Sequence, residues 1–111
     1  MECAYFRDDL CSSCPSIETA YTAQVQAKQE HARALLANYS QLQWLDPVTS
    51  AEAGFRNKAK LVVGGSAKNP TLGIVDYRTG ASTDLGECPL YMEPIQAAIP
   101  VLRELIQRAD L

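Results

Sequence analysis

The chain is expected to fold as an α+β domain, with a small antiparallel sheet, a hairpin plus a short strand, packed with two amphipathic helices behind an N-terminal cysteine loop. Three observations carry that expectation. Apolar residues recur at helical spacing in two segments. Between those segments lie two β-rich runs punctuated by glycine, asparagine and proline. Three of the four cysteines, Cys3, Cys11 and Cys14, fall within the first fourteen residues, and Cys88 stands apart from them. At 111 residues the chain is the size of one small domain, able to bury a modest core and to gain from additional staples.

The elements follow in order. A cysteine loop spans 1–15. Ser16 can cap the next helix, Glu18 suits its first turn, and Ile17, Tyr21, Val25, Ala32, Leu36 and Tyr39 share one helical face, which predicts a helix over 16–38. The stretch QWLDPVTSAEAG is a loop, since Asp46-Pro47 is biased against helix, and Trp44 is expected as a core anchor beneath it. The sheet occupies 54–85. Its first strand alternates Phe55, Asn57, Ala59, Leu61 and Val63 on one face with Arg56, Lys58, Lys60 and Val62 on the other. The run TLGIVDYRTG supplies its hairpin partner across a longish loop holding Gly64, Gly65, Asn69 and Pro70, and Thr83 to Leu85 supplies a short third strand. The last helix covers 93–109, with Ile95, Ile99, Leu102, Ile106 and Ala109 in register, Pro94 in its first turn, and Pro100 predicting a kink or two abutting helices.

Composition narrows the function. No apolar run is long enough to span a bilayer, and the opening Met-Glu-Cys-Ala-Tyr-Phe-Arg-Asp-Asp lacks a basic and then apolar leader, so a cytoplasmic protein without a membrane partner is expected. Clustered cysteines in that reducing compartment are metal ligands or redox thiols more often than disulfides. A net charge of −3 supplies no general attraction to nucleic acid, so any RNA contact needs a local patch. The Arg56, Lys58 and Lys60 stripe is the candidate; by charge pattern alone it reads equally as a solvated strand face.

Cys11 and Cys14 form a Cys-x2-Cys turn, and Cys3 is near enough to close on the same centre. Cys88 would reach it from the far half of the chain and tie the two ends together. Metal binding of that kind is folding free energy, about 10 to 16 kcal/mol for structural zinc in small peptides. The Cys14-Pro15 and Cys88-Pro89 pairs echo the cysteine-proline ending of ferredoxin motifs. Spacing leaves a four-cysteine zinc site, an iron–sulfur cluster and ordinary buried thiols open.

Cys3-x7-Cys11-x2-Cys14, followed by GFRNKAKLVV, a Leu-Gly in the second strand and DLGECPLY, resembles the opening portion of bacterial 23S rRNA (uracil-C5)-methyltransferases across essentially the whole chain. Of two sibling types, one carries an RNA-binding β-barrel before its cysteines. The chain is more similar to the other, the uridine 747 type, which starts directly with them. The resemblance implies that Cys3, Cys11, Cys14 and Cys88 hold a [4Fe-4S] cluster, with zinc or an empty site as the alternatives in an overexpressed fragment. It further implies that the domain helps to position 23S rRNA. Family members continue into a domain that binds S-adenosylmethionine and carries the catalytic cysteine and glutamate, none of which this chain supplies. The expectation is therefore a monomeric N-terminal fragment whose partners are 23S rRNA and its own C-terminal catalytic domain, and which is inactive by itself.

Two other classes of function fit the same residues, a stand-alone zinc-binding adaptor and a small iron–sulfur electron carrier. Tyr5 and Phe6 either stack on a base or, as expected here, shield the cluster from water. His31 has no acidic or thiol neighbour at ligand spacing and is expected to be exposed.

Overall fold

A computed structural model describes residues 1–76 and 79–111, so Tyr77 and Arg78, at the end of the expected second strand, lie outside the described residues. The architecture is α+β, with the order α1 (Ala4–Arg7), α2 (Tyr21–Leu35), β1 (Val62–Ser66), β2 (Asn69–Val75), β3 (Ser82–Asp84) and α3 (Glu93–Ala109). The three strands form an antiparallel meander with β2 in the centre. The core lies between β2 and α3, where Leu72, Tyr91, Ile99 and Ile106 are buried and Ala59, Leu61, Cys88 and Ile95 pack around them. Among the described residues no helix is long and apolar enough to cross a membrane.

The hairpin is tighter than its glycines suggest. Val62 pairs with Gly73 and Ser66 with Asn69, so Gly64, Gly65, Asn69 and Pro70 are all part of the ladder and only Ala67 and Lys68 turn the chain. Pro70 is tolerated because it precedes the Gly73–Val75 stretch that pairs with β3, leaving one side of β2 free of a strand at that point. Gly65, at φ 78°, takes the left-handed conformation that lets it face Asn69. At Gly73 a side chain would collide with the Thr83 carbonyl, so glycine is what allows β2 and β3 to meet.

The first strand begins later than expected. Residues 57–61 lie outside the sheet, and Arg56 makes only an isolated parallel bridge to Tyr91. Ala59 and Leu61 do turn to the core, but Phe55 and Val63, assigned to the same face, are about half exposed, so the alternation holds over the middle of the run alone. The third strand is displaced by one residue, leaving Leu85 just beyond it, buried and bonded through its N–H to the Leu72 carbonyl at 2.9 Å.

α3 has its expected bounds and Pro94 in its first turn, but it is one helix, not two, with Pro100 inside it. Ile99 and Ile106, buried on either side of the proline, hold both halves against β2, which offsets the lost backbone bond. Leu102 is largely exposed; Arg103 takes the inward place beside Ile99 and Ile106.

α2 departs most. It starts at Tyr21, because the Ile17 and Thr19 N–H groups bond back to Cys14 and Ser16 in a turn whose carbonyls at Ser16 and Thr19 are then capped by the Gln24 side chain. Ser16 therefore caps no helix, and the helix ends three residues short of the expected 38. None of its residues is buried. The following loop returns along it, joined by the Ser50 N–H donating to the Tyr21 hydroxyl at 3.0 Å and by the Arg33 guanidinium over the Trp44 ring at 5.6 Å. Trp44 is thus an exposed partner of a cation and not a core anchor. This arm makes the molecule 60 Å long, with a radius of gyration of 18.6 Å. A compact domain of this length would have about 13 Å.

Candidate metal centre

The loop that begins the chain is wound about Tyr5. Its carbonyl accepts the N–H groups of both Leu10 and Cys11, at 2.8 and 3.0 Å, and Asp9 turns the backbone with φ 56°. Cys3 is the residue before the short helix α1 that carries Tyr5, and Cys11 follows the turn that returns from it. From the other half of the chain, Gly86 and Glu87 turn after β3 and present Cys88 against the core. The Glu87 N–H donates to the Tyr5 hydroxyl at 3.1 Å, a direct bond between the cysteine loop and the Cys88 loop.

Cys3, Cys11, Cys14 and Cys88 all line one cavity of about 110 Å³, and each is half-buried with a free thiol. Burial pushes the Cys14 thiol above its ordinary range, Cys88 and Cys11 push it the same way, and Arg56 opposes them. Cys11 is oriented in part by Ser13, whose hydroxyl lies 3.4 Å from its sulfur. Among the described residues the cavity is lined by neither a carboxylate nor a histidine; the four thiols are its soft ligand set, beside the hydroxyls of Tyr5, Ser13 and Tyr91. That set suits zinc or an iron–sulfur centre and not a hard cation. Among the described residues no three of His, Cys, Asp or Glu converge closely enough to hold a single metal ion.

Arg56, Lys58 and Lys60 line the same cavity, although the segment carrying them is no strand. Lys58 and Lys60 are exposed and Arg56 is half-buried. Tyr5 and Phe6 also line it and are half-buried. Burial raises the Tyr5 phenol, with the Glu87 N–H bond opposing it. His31 is exposed on α2, away from this cavity.

Two features escaped the sequence reading. Tyr91 is almost wholly buried and forms one wall of the cavity, its phenol raised by burial and then by Cys88. Arg103 reaches from α3 to donate to both Asp84 carboxylate oxygens at 2.9 Å and to the Pro70 carbonyl at 2.8 Å, while the Leu72 N–H donates to Asp84 at 2.8 Å. This strut braces the end of β3, from which the chain runs on to Cys88. An arginine between Ile99 and Ile106 on an otherwise apolar helical face is the sequence signal that would have found it.

Over all 111 residues the chain is 41% identical to the 23S rRNA (uracil(747)-C(5))-methyltransferase RlmC of Xenorhabdus nematophila, 40% identical to that of Serratia proteamaculans and 42% identical to that of Yersinia pestis. The match takes in the whole of this chain and 29% of each relative, so the chain spans under a third of the length of the curated relatives it matches. No family model matches it. No solved structure matches it either.

Proposed function

We propose that this chain, similar throughout to part of the 23S rRNA (uracil(747)-C(5))-methyltransferases, is the cluster-bearing, rRNA-positioning domain of such an enzyme. The observation that carries the reading is the convergence of four cysteines, from residues 85 apart at the extremes, on one cavity within a chain homologous to these enzymes end to end.

The residues fit an iron–sulfur group. Cys3, Cys11, Cys14 and Cys88, which all line one cavity, would hold it, four thiolates being the ligand set of a [4Fe-4S] cluster. When bound, the cluster supplies a cross-link between the two halves of the domain and a centre able to accept an electron. The chain's own residues do the rest. Tyr5 and Phe6 exclude water, Tyr91 closes the floor, and the Tyr5–Glu87 bond keeps the two cysteine-bearing loops in register.

For the rRNA, Lys58 and Lys60 offer exposed cations that can meet phosphates, with the half-buried Arg56 behind them. A uridine must leave its stack before its C5 is methylated, and flipping costs a few kcal/mol that contacts outside the catalytic pocket help to offset. S-adenosylmethionine belongs to the part of the relatives that this chain does not span. Gly64 and Gly65 sit within β1 and not at a strand-to-helix junction that could cradle a cofactor. Modification of ribosomal RNA also fits a cytoplasmic setting.

The test is a chimera in which this chain replaces the matching segment of the Serratia proteamaculans enzyme. Methylation of uridine 747 by the iron-loaded chimera supports the reading. A chimera that binds iron and S-adenosylmethionine but transfers no methyl group to that position contradicts it.

A further inference from the structure

The cavity holds four thiols and three cations, and the cations are not equivalent. Arg56 is tied by its backbone to the segment that starts at Cys88. Its N–H donates to the Leu90 carbonyl at 2.8 Å, its carbonyl accepts the Met92 N–H at 3.1 Å, and two residues earlier the Gly54 N–H donates to the Pro89 carbonyl at 2.9 Å. Together with the parallel bridge to Tyr91, these bonds hold residues 54–56 against the Cys88 loop. The Arg56 side chain is half-buried in the cysteine cavity, and among the described residues no carboxylate pairs with it. A guanidinium kept partly out of water without an anion is unfavourable. The groups of that cavity that would become anionic on binding a cluster are the four cysteine sulfurs. Arg56 lines the same cavity as all four cysteines. Lys58 and Lys60, being exposed, are screened by solvent.

We infer that Arg56 is a positioning residue for the cysteine centre, its guanidinium fixed by the 54–56 to 89–92 backbone clamp so as to balance the charge of four thiolates and favour the more negative, reduced form of the cluster they hold. The inference rests on the cluster reading proposed above. Reduction adds one electron to the cluster from an external one-electron donor, with no bond made or broken and no proton transferred, so a fixed positive charge nearby stabilises the product more than the reactant. Arginine serves because it stays charged at every accessible pH and its planar fork can face two sulfurs together.

The experiment is a potentiometric titration of the anaerobically reconstituted chain with dithionite and mediators, followed by electron paramagnetic resonance. Arg56→Gln should disfavour the reduced form at least tenfold, moving the midpoint about 59 mV more negative for a one-electron couple. Arg56→Lys should recover more than half of that shift, and Lys60→Gln should move the midpoint by less than half of it. Arg56→Gln at the wild-type potential, or Lys60→Gln shifting as far, would overturn the inference while leaving the cluster reading standing. If Arg56→Gln assembles no cluster, Arg56→Lys decides the matter. Assembly near the wild-type potential supports a charge role, and failure of Arg56→Lys to assemble would show that the side chain's shape matters and not its charge. A wild-type chain that assembles no cluster under the same conditions removes the cluster reading itself.

Discussion

Replacing Arg103 by alanine removes three hydrogen bonds in one step, two to the Asp84 carboxylate and one to the Pro70 carbonyl, and leaves Asp84 half-buried without its cation. The two side chains are 32% and 36% exposed, so the pair lies between a surface and a buried ion pair. Exposed pairs contribute about 0 to 1 kcal/mol and breaking a buried one costs about 3 to 5, which puts this loss at about 2 kcal/mol. Unfolding entropy of about 2.1 cal/mol/K per residue converts that to a fall in Tm of about 9 °C for a chain of this length. Thermal unfolding of the metal-loaded chain by circular dichroism is the assay, with Arg108→Ala as the control, since Arg108 is 78% exposed and pairs only with Glu104 one turn away. The pH dependence adds a sign. Burial would raise the Asp84 carboxyl, but the bonds from Arg103 and the Leu72 N–H outweigh it and hold it below its usual range. A carboxylate with a depressed folded pKa contributes stability that is complete above its unfolded value near about 4 and is lost as pH falls through the folded value. The difference between wild type and Asp84→Asn should therefore be constant from pH 5 to 7 and shrink below about pH 4. An Arg103→Ala loss no larger than that of Arg108→Ala, or additive effects of Arg103→Ala and Asp84→Asn in a double-mutant cycle, would refute the strut.

Four further outcomes are expected. Cys88→Ser should strip the centre and let the cysteine loop part from the Glu87 turn, seen as loss of iron and faster amide exchange at Cys11 and Leu10; unchanged iron content would count against convergence. The isolated chain, incubated with S-adenosylmethionine and rRNA, should transfer no methyl group, and turnover above a no-protein control would overturn the proposal that it acts as a positioning domain alone. The double variant Lys58→Gln, Lys60→Gln should flatten the slope of log K against log salt for an rRNA hairpin by about 1.4, at about 0.7 per phosphate contact; equal slopes would return both lysines to a solvated face. Amides of α2, which buries none of its residues, should exchange far faster than those of β2 and α3, and equal protection would show that the arm is packed.

Local patterns read best where local and tertiary forces agree. The bounds of α3 were legible because Pro94 and the spacing of Ile99 and Ile106 match a face that is buried, although Leu102 on the same predicted face is exposed. The cysteine spacing pointed to one neighbourhood, since Cys3, Cys11 and Cys14 are tied by chain length, and Cys88, expected to reach it from the far half of the chain, lines the same cavity. Glycines misled in the hairpin. Gly64 and Gly65 look like turn residues, yet the close approach of Ser82 and Asn69 requires them within the strand. The cationic stripe assumed a regular strand through Arg56, Lys58 and Lys60, but the chain there is held by Leu90 and Met92, a pairing between distant segments that alternation cannot reveal. Trp44 and the α2 face failed for a different reason. Amphipathicity marks a face that is suited to burial, and none of the residues of α2 is buried among the described residues. Tyr5 was read as a shield; its carbonyl also closes the cysteine loop locally, and its hydroxyl joins Glu87 by a contact across 82 residues that no local pattern reveals.

Native mass spectrometry of the anaerobically reconstituted chain tests the central claim most directly. The account predicts a single adduct of about four irons and four sulfides on the wild-type chain, absent from Cys88→Ser as well as from Cys11→Ser. An adduct of one zinc ion alone, or a cluster that survives Cys88→Ser, would contradict it.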